Sequence, residues 1–161
     1  MEAWHEFFLG ELGAAAALAG MLFVAVSVNQ ARILELGRMA DRGLEALVML
    51  LYVIVAASLV LVPGQSPSLL GGELLAIGVL AQVALARLEI GYCRVLDSEH
   101  LPRTLQMVAL NQVAMALSGV AGGWMLWTGT AAGLCLVAPG ILLTFVAVGL
   151  NAWVLLIEIN R

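Results

Sequence analysis

Apolar residues fall into five long runs that are separated by short polar or turn-forming segments. The runs cover residues 7–28, 44–62, 69–86, 105–127 and 139–157. A helix needs about 20 predominantly apolar residues, at about 1.5 Å each, to cross the hydrocarbon core of a bilayer. The pattern therefore predicts an all-α, polytopic membrane protein with five transmembrane helices in a single domain over residues 1–161.

Turn-forming residues mark boundaries between the runs. The sequence PGQSP at residues 63–67 separates the second run from the third, and TGT at residues 128–130 separates the fourth from the fifth. Pro139 interrupts an apolar stretch that begins near Ala131, and proline is favoured in the first turn of a helix. We expect the fifth helix to begin at Pro139, with residues 133–138 as a linker or re-entrant segment. A kink at Pro139 is the alternative.

The composition agrees with a chain that lies mostly in lipid. Hydrophobic residues make up 63% of the chain and charged residues 11%, and the mean hydropathy is +1.05. A soluble domain carries about 25% charged residues, so a soluble globule and a disordered chain are both disfavoured. Seven basic residues in a chain of net charge −4 also argue against a nucleic acid as partner.

The basic residues indicate how the chain is oriented. All seven are arginines, and with five spans they fall on one side of the membrane: Arg32, Arg38, Arg42, Arg87, Arg94, Arg103 and Arg161. The positive-inside rule then puts the N-terminus outside and the C-terminus in the cytoplasm. The bias towards Ala, Gly, Leu, Val and Arg, without Lys, favours a bacterial protein, so we expect the bacterial inner membrane.

The two arginine-bearing connections, residues 29–43 and 87–104, are expected to extend the first and third helices beyond the membrane. Opposite charges at i,i+3 spacing, such as Arg32 with Glu35 and Arg94 with Asp97, favour solvated helices there. These extensions are either plain connectors or a collar in an oligomer. The acids assigned to the same side balance the arginines: Glu35, Asp41, Glu45, Glu89, Asp97, Glu99 and Glu158.

Small residues recur on one face of two helices. They are Gly10, Gly13, Ala17 and Gly20 in the first run, and Ala116, Gly119 and Gly123 in the fourth. Lipid tails give no hydrophobic drive for helix pairing, so close backbone approach must supply the attraction. The two stripes either pack inside the monomer or form the interface of a homo-oligomer.

Carboxylates gather near the outer end of the predicted spans. Glu11 lies about 6 Å inside the first span and Glu73 about as deep in the third. Glu2 and Glu6 lie above them, and the outer side carries no arginine. In a ring of subunits these carboxylates would form an acidic mouth that concentrates cations. The alternative is that they extend to the lipid headgroups.

Carboxamides and a phenol lie at one depth near the inner end. They are Tyr52, Gln82, Asn111, Gln112 and Asn151, all about 10 Å from the cytoplasmic end of their spans. Such groups are costly when they face lipid, so we expect them to point inward and pair. They form either a belt of interhelical hydrogen bonds, or a polar constriction or substrate contact.

The residues that most enzymes and metal sites need are missing from the spans. His5 and His100 both lie outside them, and Cys93 and Cys135 fall on opposite sides of the membrane. No nucleophile motif or phosphate-binding loop occurs. We expect no enzyme, no metal site and no cofactor.

Two segments resemble parts of a known group of proteins. They are FFLGELGAAAALAGMLFVAVSV at residues 7–28 and LVPGQS at residues 61–66. Both are similar to segments of small, uncharacterised bacterial multi-span integral membrane proteins. The resemblance covers the first third of the chain and implies no activity, cofactor or site.

The sequence leaves three hypotheses for function. The first is a homo-oligomeric channel that passes cations through the acidic mouth and the carboxamide layer. The second is a non-conducting accessory or scaffold subunit that binds another membrane protein through a small-residue stripe. The third is a small transporter or lipid-binding bundle, in which Pro139 would break the fifth helix.

Overall fold

The computed structural model describes residues 2–28, 38–94 and 101–159, without the side chains of residues 2–3, 38–40, 103 and 154–159. It contains five long helices: α1 (Glu2–Val28), α2 (Arg38–Leu61), α3 (Pro67–Cys93), α4 (Leu101–Thr128) and α5 (Leu134–Ile159). Each helix is long and apolar enough to cross a membrane. The predicted all-α, five-span membrane protein is confirmed, whereas its orientation stays a prediction.

The prediction for the start of the fifth helix is wrong. A 3-10 turn at Ala131–Gly133 leads directly into α5, which begins at Leu134 and contains Pro139 within it. Pro139 is the sixth residue of α5, so its missing N–H leaves the carbonyl of Cys135 without the usual intrahelical donor, and the helix continues through this loss of one hydrogen bond. Residues 134–138 are therefore helical and are not a linker or re-entrant segment.

The connections between helices also differ from the prediction. Residues 38–43 belong to the start of α2, so they do not extend α1. Helix α3 does continue past Arg87 as far as Cys93, and residues 101–104 already belong to α4. The predicted pairs of Arg32 with Glu35 and of Arg94 with Asp97 involve residues outside the described part of the chain.

Local sequence explains both tight turns. Ser66 caps α3, its Oγ accepting a hydrogen bond from the backbone N–H of Leu69 at 3.3 Å, and a proline follows it in the first helical turn. Gly64 (φ +74°) and Gly129 (φ +65°) take up the left-handed backbone that favours glycine. The N–H of Gly129 closes α4 by donating to the carbonyl of Met125 at 2.9 Å.

The helices run antiparallel to their chain neighbours and give the bundle two distinct ends. The arginine end carries Arg42, Arg87 and Arg94, and the turn end carries the two tight turns. Helix α2 packs against α1, α3 and α5, and α4 packs against α3 and α5. Helices α2 to α5 therefore enclose the core, while α1 lies at the side.

Glycines let α3 and α4 approach backbone to backbone. A Cβ on Gly71 would lie 2.7 Å from the carbonyl oxygen of Gly122, and one on Gly122 would lie 2.6 Å from the backbone nitrogen of Leu75. A Cβ on Gly78 would lie 3.3 Å from the Cα of Gly119. No side chain fits at Gly71 or Gly122 without a shift of the backbone, and Gly78 leaves little room, so close approach of the two backbones holds the pair together.

Glycines also let α4 and α5 approach each other closely. A Cβ on Gly133 would lie 2.7 Å from the carbonyl oxygen of Ala121, and one on Gly140 would lie 2.7 Å from the Oγ of Ser118. These contacts align α5 along α4 from the turn end to the middle of the bundle.

The small-residue stripe of α1 is exposed. A Cβ on Gly10, Gly13 or Gly20 would meet no atom within 4 Å, and Ala17 is exposed as well. In the α4 stripe, the Cα of Gly119 lies close to Gly78, but a Cβ on Gly119 or Gly123 would meet no atom within 4 Å, and Ala116 is exposed. The α1 stripe therefore does not pack within the described part of the chain.

Gly122→Ala and Gly123→Ala form a matched pair that tests the α3–α4 contact. The Cβ of the first variant would meet the α3 backbone, whereas the Cβ of the second enters open space. We expect Gly122→Ala to lower the free energy of unfolding by about 1–3 kcal/mol, because it overpacks a tight interface. Reversible unfolding in mixed micelles measures both variants, and equal stability of the two would contradict this packing.

Candidate functional site

The most polar part of the core lies towards the arginine end, between α2 and α3. Glu45 of α2 is 1% exposed, and Glu89 of α3 is 3% exposed. Both lie within candidate membrane spans. The two carboxyl groups, called the carboxyl pair below, are within hydrogen-bonding reach of each other. Two buried carboxyl groups side by side are rare, because burying an unpaired charge is costly.

One chain of amides leads from α5 to Glu45. Nδ2 of Asn111 donates a hydrogen bond to Oε1 of Glu45, and Nδ2 of Asn151 donates to Oδ1 of Asn111 at 3.5 Å. Asn111 and Asn151 are both fully buried. The carboxyl group thus receives its donor from α4, which is supported in turn by α5.

A second chain of amides leads from α3 to Glu89 by way of α4. Nε2 of Gln112 donates to Oε2 of Glu89, and Nε2 of Gln82 donates to Oε1 of Gln112. Nε2 of Gln82 also lies 3.4 Å from the backbone oxygen of Gln112. Asn111 and Gln112, two consecutive residues of α4, therefore each donate to a different carboxyl group, and Asn111 also lies close to Glu89. The four amides are called the amide shell below.

Every hydrogen bond of the amide shell is donated in the direction of the carboxyl groups. A carboxylate can only accept, so each amide next to it must turn its NH₂ group inward and its oxygen outward. The outward oxygens of Asn111 and Gln112 are already occupied by the second amide of each chain. Oε1 of Glu89 is buried and has no donor among the described residues.

Arg42 and Tyr92 cover the carboxyl pair on the side of the arginine end. Arg42 lies one turn before Glu45, and Tyr92 lies one turn after Glu89. The Cζ atom of Arg42 is 5.9 Å from the centroid of the Tyr92 ring, within the range of a cation–π contact. The positive charge of Arg42 acts on both Glu45 and Tyr92. Arg42 and Tyr92 thus form a polar layer on the arginine-end side of the carboxyl pair.

The structure brings together four of the five residues predicted for the inner layer: Gln82, Asn111, Gln112 and Asn151. Tyr52 does not join them. Its hydroxyl lies within hydrogen-bonding reach of Ser118, deeper in the bundle, and no other partner serves either hydroxyl within the described part of the chain. The depth assigned to Tyr52 is therefore wrong, because its position two turns beyond Glu45 sets it in another layer.

The outer carboxylates do not form a common site in the described chain. Oε2 of Glu73 accepts a hydrogen bond from Nε2 of Gln65, which ties it to the turn before α3. Glu11 is half-buried on α1, and its Oε2 has no donor among the described residues. Helix α1 packs mainly on α2, so Glu11 and Glu73 lie on separate parts of the bundle.

Sequence reasoning missed the two residues at the centre of the site. It counted Glu45 and Glu89 among the charges that balance the arginines, yet both are buried. One signal was present, because Glu89 lies seven residues after Gln82 and therefore on the same face of one helix. Glu45 in turn lies inside the apolar run of residues 44–62, where a solvated carboxylate is not expected.

The arrangement has the chemistry of a site for protons or small cations. Within the described residues, no three His, Cys, Asp or Glu side chains gather into a group that could hold a metal ion. No family model, curated protein or solved structure matches the chain. The geometry of the carboxyl pair and its amide shell is therefore the basis for a functional proposal.

Asn111→Leu and Asn151→Leu test how the amide shell supports the carboxyl pair. The first removes the donor to Glu45 and the acceptor for Asn151, whereas the second removes one long hydrogen bond. We expect Asn111→Leu to lower the free energy of unfolding by about 1–3 kcal/mol, because it leaves buried polar groups unpaired. Asn151→Leu should cost less, and lipid-facing Val113→Leu should have no effect. Denaturant titration measures all three, and a larger loss for Asn151→Leu would rule out this hierarchy.

Proposed function

We propose that the protein carries protons across the membrane, with the carboxyl pair of Glu45 and Glu89 as its binding site. The observation that carries the proposal is the burial of two neighbouring carboxyl groups inside helices that can cross a membrane. Ionisable groups in that position commonly mark ion pathways and proton relays. This keeps the cation-handling function expected from the sequence and moves its site into the bundle.

The physical reason is the cost of charge in a low-dielectric interior. Two carboxylates in contact cannot both stay ionised there, so the pair holds one proton between them. The amide shell donates one hydrogen bond to each carboxyl group, which stabilises the remaining negative charge. Binding and release of the second proton then change the charge of the site by one unit.

The amide shell favours a proton over a metal cation. A bound metal ion needs several oxygen ligands, and both amides next to the carboxyl groups turn their NH₂ groups towards the site. Among the fully buried oxygens of the cluster, Oε1 of Glu89 is the one without a hydrogen bond in the described residues. A single buried oxygen of this kind suits a proton or hydronium ion better than a metal ion.

Packing towards the turn end favours a transporter over an open pore. Fully buried apolar side chains fill that part of the bundle: Leu70, Leu74, Met125 and Leu134. A proton bound at the carboxyl pair therefore needs a rearrangement of the bundle to leave by that end. Glu11 and Glu73, nearer the turn end, would attract cations there, as proposed from the sequence.

Neutralising the carboxyl pair should abolish proton transport. We expect Glu45→Gln and Glu89→Gln each to reduce proton flux to the level of empty vesicles. Glutamine keeps the shape of the side chain, but its amide does not bind and release a proton as a carboxyl group does. The measurement uses purified protein in liposomes with a trapped pH-sensitive dye, an imposed pH difference and a potassium diffusion potential.

Asp41→Asn is the matched control for these variants. It makes the same acid-to-amide change on α2, one turn nearer the arginine end, and Asp41 makes no contact with the amide shell in the described structure. It should keep the flux of the unaltered protein. Full flux in both glutamine variants, or no flux from the unaltered protein, would refute the proposal.

The exposed small-residue face of α1 favours a second candidate, an accessory or scaffold subunit. Within the span Trp4–Val28 only Phe8, Ala15 and Ala19 are buried, and Gly10, Gly13 and Gly20 have open space at Cβ. A second copy or another membrane helix could approach closely along this face. Assembly through α1 is also compatible with proton transport by each subunit.

Gly13→Leu tests assembly through α1, and Gly149→Leu serves as its control. Both glycines are exposed, and a Cβ on either would meet no atom within 4 Å, but they lie on α1 and α5 respectively. We expect the protein from native membrane to purify as an oligomer or with a partner, and Gly13→Leu to lose that association because leucine prevents close backbone approach. Size-exclusion chromatography with light scattering gives the mass. A monomer in every case would count against an α1 interface.

A further inference from the structure

A second set of buried polar side chains repeats the carboxyl site two helical turns further towards the turn end. It consists of Tyr52, Ser118 and Thr144, called the hydroxyl layer below. Each lies seven residues from a member of the first site on its own helix, namely Glu45, Asn111 and Asn151 respectively. Seven residues make about two turns, so each pair shares one helix face at a separation of about 10 Å.

The hydroxyl layer lies wholly inside the bundle and is only partly satisfied. All three side chains are buried, and Oγ1 of Thr144 donates to the carbonyl of Gly140 at 2.9 Å. The hydroxyls of Tyr52 and Ser118 lie within hydrogen-bonding reach of each other, and no other partner serves either of them among the described residues. Such a pair can share only one proton, so its remaining hydrogen-bonding capacity is buried and unused, which is costly and points to a polar ligand that the pair binds in another state of the bundle.

Methionines separate the hydroxyl layer from the carboxyl pair. Met49 lies four residues after Glu45 and three before Tyr52, and Met115 lies in the same way between Asn111 and Ser118. Both methionines are fully buried. On α5 the corresponding positions are also apolar, Ala147 and Val148. Along the bundle axis, the inner faces of α2, α4 and α5 therefore carry a polar layer, then an apolar layer, then a second polar layer.

Methionine is suited to a barrier that can move. Its side chain is unbranched and has several rotatable bonds, so it can change rotamer without a shift of the backbone. An apolar constriction between two polar sites excludes water when closed and admits it when its side chains move apart.

We propose that the hydroxyl layer is a second binding position, for water or a hydronium ion, and that Met49 and Met115 form an apolar gate between it and the carboxyl pair. The inference rests on the proposed proton transport. When the gate opens, one O–H bond breaks at the carboxyl pair and one forms on a water molecule. Tyr52 and Ser118 then hold that water by hydrogen bonds, and no other covalent bond changes.

Access of water to Ser118 tests the gate without measuring transport. Ser118→Cys is introduced into a chain in which Cys93→Ala and Cys135→Ala remove the native thiols, and a small water-soluble methanethiosulfonate reagent labels it in liposomes. We expect slow labelling in this parent and labelling several-fold faster when Met115→Ala is added. Met115→Leu keeps the volume of the gate and should label as slowly as the parent. Met49→Ala replaces Met115→Ala if the latter does not fold, as judged by its elution profile.

Proton flux tests the hydroxyl layer itself. Tyr52→Phe and Ser118→Ala should each reduce flux, because they remove the groups that hold water beyond the gate. Ser58→Ala is the matched control on α2: Ser58 is exposed and its Oγ donates to the carbonyl of Ile54 in its own helix, so flux should be unchanged.

The two readouts separate failure of this inference from failure of the proposed function. Flux that survives Glu45→Gln and Glu89→Gln refutes the proposed function, while the labelling rates still decide whether a gate exists. The gate is overturned if Ser118→Cys is labelled at the same rate in the parent, which keeps Met115, and in the variant with Met115→Ala. This holds whether both rates are fast or slow. The hydroxyl layer alone is overturned if Tyr52→Phe and Ser118→Ala keep full proton flux while Glu45→Gln and Glu89→Gln lose it.

Discussion

Two carboxyl groups inside a bundle that crosses a membrane must find their hydrogen-bond donors within the protein, and the arrangement of α2 to α5 follows from that constraint. Glu45 and Glu89 come from neighbouring helices, and their donors come from two consecutive residues of α4. Lipid offers no polar partner at this depth, so any separation of these helices leaves buried groups unsatisfied. The site therefore specifies which helices are neighbours.

Glycine contacts make this geometry possible. Gly71 and Gly78 of α3 face Gly122 and Gly119 of α4 with no side chain between the backbones. At such a short interhelical distance the chain from Gln82 through Gln112 to Glu89 closes with direct hydrogen bonds. Packing near the turn end and polar bonding near the arginine end thus hold the same pair of helices together, and neither would suffice for a precise site.

The two candidate functions rest on different helices of the bundle. Helices α2 to α5 enclose the polar and apolar layers, whereas α1 exposes its small residues along one side. The proposed proton site belongs to the first group, and the proposed association with other helices belongs to α1. Because the exposed glycines of α1 lie away from the carboxyl pair, assembly and proton binding can be altered separately.

Hydropathy by itself determined the all-helical class, five spans and their approximate limits, because the thickness of a bilayer imposes a length on every apolar run. The same reasoning grouped Gln82, Asn111, Gln112 and Asn151, since depth follows from counting residues along a helix. Only the tertiary structure decided that Glu45 and Glu89 belong with them, that Tyr52 lies a layer deeper and that Pro139 lies inside α5. Burial depends on which face a neighbouring helix covers, and that depends on glycine contacts between residues far apart in the chain.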